Sequence, residues 1–238
     1  MAGYYSRHLS GTRLKEVYDL ASPRIRQYLQ AEIDHVIDLV TARDRILELG
    51  CGYGRALKEI APHVSRAVGA DVSRATVESA TLYLREVVNV DLVRMDAART
   101  AFCENSFDAV ICIQNGISAF GVDRSTLLAE AIRLARPGGL VLFSTYSPKI
   151  WEARLDWFRA QSAAGLVGEL DEPRCRAGTI VCKDGFQSFT VSGEEFSELV
   201  YGIGQTPRVN EIDGSSVFVE VVKKPRGTDG GKPMPVTP

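Results

Sequence analysis

The sequence predicts an α/β protein built on a doubly wound, mostly parallel sheet, and three observations lead there. First, residues 46–54 set an apolar run, Ile46, Leu47 and Leu49, directly ahead of three alternate glycines, Gly50, Gly52 and Gly54, with helix-patterned residues 55–61 behind them. A strand, a glycine turn and a helix N-terminus in that order make a nucleotide-type site, because glycine lets backbone approach a ligand that a Cβ would hold off. Second, residues 107–113 are apolar almost throughout, as befits a parallel strand covered on both faces. Third, strand-like and helix-like segments alternate from about residue 46 to 146, the order that winds helices onto both faces of one sheet.

Composition sets the bounds. A chain of 238 residues, 45% hydrophobic and 24% charged, can bury one sizeable core and fits a single domain with embellishments. The formal charge of -2 offers no basic surface for tight nonspecific binding to nucleic acid, so no nucleic-acid partner is expected. No run of about 18 apolar residues occurs and the first residues lack the apolar core of a secretion signal, which predicts a cytoplasmic protein with no membrane partner. The five cysteines are scattered, as reduced thiols would be. His8, His35 and His63 have no metal-ligand spacing, so no catalytic metal is expected. The oligomeric state is not encoded in any feature of the sequence.

Residues 1–42 read as an N-terminal arm and helices. Residues 10–21 suit a short helix, and Ser22 with Pro23 makes a cap and first turn for a second one, whose Ile25, Leu29, Ile33, Val36, Ile37 and Val40 share one face. Tyr4 and Tyr5 precede them in an arm expected to fold over the ligand site. Residues 43–224 form the main domain. After the glycine loop, residues 67–71 make a second strand ending in Asp71, followed by Val72, Ser73 and a helix to about residue 88. Asp71 lies about 20 residues beyond the glycines, where an acid at a strand end meets ribose hydroxyls; capping of the next helix is its structural alternative. Residues 91–96 are a third strand ending in Asp96 and Ala97.

The run 107–113 then delivers Gln114, Asn115 and Gly116 to the carboxyl edge of the sheet, where open α/β sheets bind ligands. A helix over 125–135, a turn at Arg136, Pro137, Gly138 and Gly139, and a strand over 140–144 follow. Residues 147–191 look like an insertion after the fifth strand, aromatic and charged at first, with a hairpin across 179–191 turning at 183–185. Ser192 with Glu195 makes a capping box for a helix to about residue 202, and two strands, 207–212 and 216–222, are joined by a tight turn at Asp213 and Gly214. From residue 225 the chain is rich in Pro and Gly and is expected to be a disordered tail.

A dinucleotide-binding loop would need glycine at position 55, where Arg55 stands. The pattern is instead Glu48, Gly50, Gly52, Gly54, and it resembles motif I of class I, Rossmann-like S-adenosylmethionine-dependent methyltransferases. With the acids at 71 and 96 and the Pro137-Gly138-Gly139 segment before the fifth strand, the resemblance covers about residues 44–146, in order and at family spacing. It implies S-adenosylmethionine as cofactor and a seven-stranded sheet whose last strand is antiparallel. It also implies that Glu48 and the backbone of Gly50, Cys51, Gly52 and Gly54 hold the methionyl end, that Asp96 contacts the adenine amine, and that Asp71, Val72, Ala97 and Gln114 also bind the cofactor, Asp71 through the ribose.

Marks of several subclasses are missing. After the fourth strand stand Gln114, Asn115, Gly116 and Ile117, where adenine and amide methyltransferases carry an Asn/Asp-Pro-Pro-aromatic motif and cytosine-carbon enzymes a Pro-Cys nucleophile. Catechol-type enzymes hold magnesium with an acid at position 114, and Cys175 and Cys182 lack the pattern of arsenite methyltransferases. What remains is a small-molecule enzyme whose pocket is roofed by the arm and a lid at 147–191, with Tyr4, Tyr5, Tyr146, Trp151, Arg154, Trp157 and Phe158 as its candidate residues. Methyl transfer needs aim more than a base. Tyr5, Asn115 and Tyr146 are the expected aiming residues, and Glu152, Asp156, Asp171 and Glu172 make the lid acidic. The expected acceptor is therefore an amine nitrogen, with O-methylation or a non-catalytic cofactor-binding partner subunit as the alternatives.

Overall fold

The computed structural model describes residues 4, 8–176 and 178–225, so Tyr5 and the chain from residue 226 on lie outside the described residues. Among these, seven strands form one sheet: β1 (Arg45–Leu49), β2 (Arg66–Asp71), β3 (Val90–Arg94), β4 (Phe107–Cys112), β5 (Ala135–Tyr146), and, after a small hairpin of β6 (Ile180–Val181) and β7 (Gln187–Ser188), β8 (Arg208–Ile212) and β9 (Ser216–Val222). Their order is β3-β2-β1-β4-β5-β9-β8. The first five run parallel, and β9 lies antiparallel between β5 and β8. The chain winds outward from β1 through β2 to β3, then returns to place β4 on the other side of β1. The carboxyl ends of β1 and β4 therefore flank the topological switch point, where such sheets bind ligands.

Side-chain alternation divides the core into two layers. Leu47 and Leu49 of β1, Val68 of β2, Val110 of β4 and Phe143 of β5 face helices α5 (Arg124–Leu134) and α7 (Gly193–Gly202). Ile46, Ile111, Leu142 and Phe218 face α2 (Pro23–Leu39) and α3 (Arg55–Ile60) on the opposite side. Each of these side chains is almost fully buried, which contributes about 1.5 to 3 kcal/mol apiece. A third apolar cluster sits at the carboxyl end of β5, where α1 (Thr12–Asp19) and the start of α2 meet α6 (Trp151–Ala163) and the hairpin through Val17, Tyr28, Trp157, Phe158 and Phe186.

Local signals set the helix starts. Ser22 accepts the Ile25 N–H with Pro23 at the first turn, and Asp123 accepts the Thr126 N–H at 2.8 Å. The Ser192 hydroxyl accepts the Glu195 N–H at 3.1 Å, but the Glu195 carboxylate pairs with Arg124 instead of returning to Ser192, so half of the expected capping box forms. Two boundaries depart from expectation. Helix α4 (Arg74–Tyr83) stops about five residues early, because Asn89 must reach the Ala61 and Val64 carbonyls (2.7 and 3.0 Å) before β3 begins at Val90. The turn expected at 136–139 is a bulge within the longer β5: Ala135 pairs with Phe107 and Leu140 with Ala109, so four residues oppose Asp108 alone.

Candidate active site

A cavity of about 530 Å³ opens over the switch point, lined by the glycine loop, the ends of β2, β3 and β4, helix α1, the 119–122 loop and the inner face of α6. On its floor the loop backbone is left-handed at Gly50, Gly52 and Gly54, with φ of 76°, 54° and 89°. A Cβ at Gly50 would lie 2.6 Å from the Phe120 ring and one at Gly54 2.5 Å from Leu84. At Gly52 it would come within 2.9 Å of Leu14 on α1, so this glycine keeps a helix close as well as leaving the cavity clear. The Gly50 and Cys51 N–H groups donate to the Ala70 carbonyl, which ties the loop to β2.

Glu48, the penultimate residue of β1, lines this cavity. It is 6% exposed, and its Oε2 has no hydrogen-bond partner. Burial pushes its pKa up to about 8, with the Arg55 guanidinium pulling the other way and Asp71 adding to the rise. A buried carboxylate oxygen without a donor is costly, and a cationic ligand group would satisfy it. Asp71, at the end of β2, accepts the N–H groups of Gly52 (3.2 Å) and Ser73 (2.9 Å), and burial raises its pKa. Val72 is half exposed into the cavity, Ala97 is buried, and Asp96 stands exposed with Oδ1 on the Ala98 N–H; all three line the same space.

At the end of β4, Gln114 and Asn115 are both left-handed, each with φ of 58°, an arrangement non-glycine residues keep only when their surroundings hold them. The Gln114 N–H donates to Glu32 (2.6 Å) and to Ser144 Oγ (2.8 Å), and Gln114 Oε1 accepts from the Tyr18 hydroxyl at 3.3 Å. Both Asn115 amide hydrogens are engaged: Nδ2 donates to Ser118 Oγ (2.7 Å) and the Phe189 carbonyl (3.0 Å), while Oδ1 accepts from Thr145 Oγ1 (2.9 Å) and keeps a second lone pair. Asn115 therefore braces the cavity wall, and only its Oδ1 is left to meet an acceptor. Tyr146 is buried in the cavity lining, tilted against Tyr28 at 4.9 Å with the Arg154 guanidinium 4.3 Å over its ring.

The structure sorts the expected roof residues. Trp157 and Phe158 line the cavity, and Trp157 is fixed by its indole N–H, which donates to the Val17 carbonyl at 3.0 Å. Trp151 packs in the neighbouring apolar cluster, and Arg154 turns to the Gly178 and Ser188 carbonyls. Tyr4 is stacked on His8 and meets Phe186 edge-on, with its hydroxyl donating to Asp184 at 2.6 Å, and it is not among the residues that line the cavity. Of the lid acids, Asp156 and Glu172 pair with Arg159, Asp171 lies 3.7 Å from Arg174, and Glu152 is exposed.

Several cavity residues escaped the sequence reading. Tyr18 on α1 carries the Arg55 guanidinium 5.4 Å over its ring and meets Tyr53 and Trp157. Leu14, Val17, Tyr18 and Ala21 recur at i, i+3, i+4 and i+7, the signal that could have placed this face on the site. Gln161, 2% exposed, follows Trp157 and Phe158 on the same face of α6. Among the described residues, no group of three or more His, Cys, Asp or Glu side chains is arranged to hold a metal ion, and no helix is long and apolar enough to cross a membrane.

Residues 46–139 match a family model described as a methyltransferase domain. The phthiotriol/phenolphthiotriol dimycocerosates methyltransferase 1 of Mycobacterium ulcerans is 32% identical over 117 residues, 47% of this chain and 42% of that protein. A ubiquinone biosynthesis O-methyltransferase of Hahella chejuensis is 33% identical over 103 residues, covering 42% of each. The matches thus span less than half the length of these relatives. Among solved structures, a SAM-dependent methyltransferase of Methanosarcina mazei aligns with a TM-score of 0.60 at 17% identity, covering 79% of this chain and 96% of that one. The magnesium protoporphyrin IX methyltransferase of Synechocystis, solved with bound S-adenosylhomocysteine, aligns with a TM-score of 0.60 at 18% identity over 84% and 85% of the two chains. Matched segment, strand order and glycine loop agree: residues 46–139 match a methyltransferase domain, and the sheet around them has the fold of Rossmann-like S-adenosylmethionine-dependent methyltransferases.

Proposed function

We propose that the protein transfers a methyl group from S-adenosylmethionine to an oxygen of a small, uncharged acceptor bound under α6. The observation that carries this reading is the lining of the cavity. Its carboxylates, Glu48, Asp71 and Asp96, all belong to the glycine-loop half, while the other half is formed by Tyr18, Tyr146, Trp157, Phe158, Gln161 and Ser188. The amine acceptor expected from an acidic lid loses its support, since those acids are paired with arginines or exposed on the outer surface. A cation formed during transfer would meet mainly aromatic faces in this half of the cavity. The O-methyltransferase names of several relatives lean the same way.

The residues present fit the cofactor. The unpartnered Glu48 Oε2 suits an ammonium group, the left-handed glycines leave the floor bare, and Asp71 keeps lone pairs for ribose hydroxyls beyond its two backbone bonds. When bound, S-adenosylmethionine supplies a methyl group on a sulfonium, open to in-line attack. The protein's part is aim and dryness: Trp157 and Phe158 exclude water, and the braced Gln114-Asn115 turn fixes the wall between the two halves. No histidine lines the cavity, so a phenol or enol hydroxyl, acidic in its own right, asks least of these residues. We infer that residues 147–191 act as the lid and that Tyr146 orients the acceptor.

An acceptor panel of phenols, enols and primary amines, read by formation of S-adenosylhomocysteine, tests this reading. Turnover with hydroxyl acceptors supports it, and turnover confined to amines overturns it. Tight cofactor binding without turnover on any acceptor would point to a non-catalytic partner subunit.

A further inference from the structure

Gln161 is the one cavity side chain of the α6 face whose polar group has been given nothing to bind. It is 2% exposed and lines the cavity, yet its Nε2 has no hydrogen-bond partner. An amide nitrogen buried in this way costs stability unless a ligand completes it. Its surroundings are rigid. Trp157, one turn before it, is tied to the Val17 carbonyl, and Phe158 is wedged between Trp157 (6.2 Å) and Phe186 (5.7 Å). Tyr18 approaches Trp157 at 6.0 Å and is itself held by Gln114. The result is an aromatic slot with the Gln161 amide donor on its α6 side; the Gln114 Nε2 in the same cavity is likewise buried without a partner.

We infer that this slot is a recognition subsite for a planar ring carrying a carbonyl-type oxygen, which accepts a hydrogen bond from Gln161 Nε2. Flat apolar walls take a ring in preference to a flexible chain, because immobilised aromatics match it without ordering anything new. The Gln161 donor selects among rings, since an analogue without the oxygen leaves this buried amide as unpaired as before. Gln161 is a specificity residue in this account and takes no part in bond making. The inference rests on the proposed function for the location of the acceptor, and it names what that acceptor must look like.

Two bicyclic probes of equal outline, 1-indanone and indane, separate the oxygen from the ring. Each is titrated into the full chain saturated with S-adenosylhomocysteine and followed by ligand-detected NMR. In the wild-type protein 1-indanone is expected to bind about tenfold more tightly than indane, the yield of one completed hydrogen bond. Gln161→Leu should abolish that difference and leave indane binding unchanged. Gln161→Met, which keeps the length and removes the donor, should weaken 1-indanone alone; should the leucine variant fail to fold, this variant carries the test. Equal affinity of the two probes in the wild type, a preference that survives both substitutions, or no saturable binding of either probe overturns the inference. Because binding and not turnover is measured, such a failure is distinct from failure to methylate hydroxyl acceptors.

Discussion

Glu32, fully buried on α2, accepts the backbone N–H of Gln114 at 2.6 Å, and so a helix 82 residues earlier in the chain holds the turn that ends β4. The same carboxylate accepts the Ser216 hydroxyl at the start of β9. One side chain thereby joins α2, β4 and β9 behind the cavity wall. Glu32→Leu should lower unfolding free energy by about 1 to 3 kcal/mol through the unpaired donors it leaves. It should also weaken binding of S-adenosylhomocysteine, because the left-handed turn relaxes. Chemical unfolding and calorimetry on the one variant check both, and normal affinity in a destabilised protein would restrict Glu32 to the fold.

Glu32 and Glu48 also make stability depend on pH. Burial raises the pKa of Glu32 to about 7 and that of Glu48 to about 8, from ordinary values near 4.5. Between those limits the unfolded chain has lost both protons while the folded one keeps them, so each unit of rising pH favours unfolding. The cofactor-free protein should therefore melt at highest temperature near pH 5 and lose ground steadily to about pH 8. Thermal melts across that range measure it, and Glu48→Gln should flatten the upper part of the decline.

Cofactor binding should run the other way. If Glu48 must be ionised to receive an ammonium group, affinity for S-adenosylhomocysteine rises with pH toward about 8, and a proton is released at pH 7. Calorimetry in buffers of different ionisation enthalpy counts that proton. A Glu48→Gln variant that still releases it would assign the linkage to another group.

Asp71→Ala removes the carboxylate that accepts the Gly52 and Ser73 N–H groups. Charge-assisted bonds are worth about 1.5 to 3 kcal/mol each, so cofactor affinity should fall tenfold or more. If the variant melts earlier and binds normally, Asp71 is a loop anchor and cap. At Gly52 even alanine should perturb the site, through a φ of 54° and contact with Leu14 on α1.

The sheet and its glycine loop were legible because their signals are local. An apolar run such as 107–113 needs no partner to announce a buried strand, and left-handed turns ask for glycine wherever they occur. The acceptor half was less legible, since its residues take their meaning from what tertiary structure sets beside them. Gln161 reads as an ordinary helix residue until α6 is packed over the cavity, and the sequence does not show that Ser118, Phe189 and Thr145 surround the Asn115 amide. The charges of Asp156 and Glu172 were visible, but not the Arg159 that occupies them. The β5 bulge was hidden too, because a Pro-Gly-Gly turn and a bulge look alike before strand pairing is known.

Strand β9 comes late in the chain yet lies inside the sheet, between β5 and β8. Until residues 216–222 emerge from the ribosome, the seven residues Leu140–Tyr146 of β5 form an unprotected edge whose backbone N–H and C=O groups have no partner on that side. Contacts among β1, β2 and β3 close over short sequence separations, whereas pairing β9 with β5 closes a loop that runs through α6, the hairpin and α7. The nascent protein can thus shape its cofactor floor early and wait for its last strand with a sticky flank exposed, which makes the interval before β9 docks the time of greatest aggregation hazard.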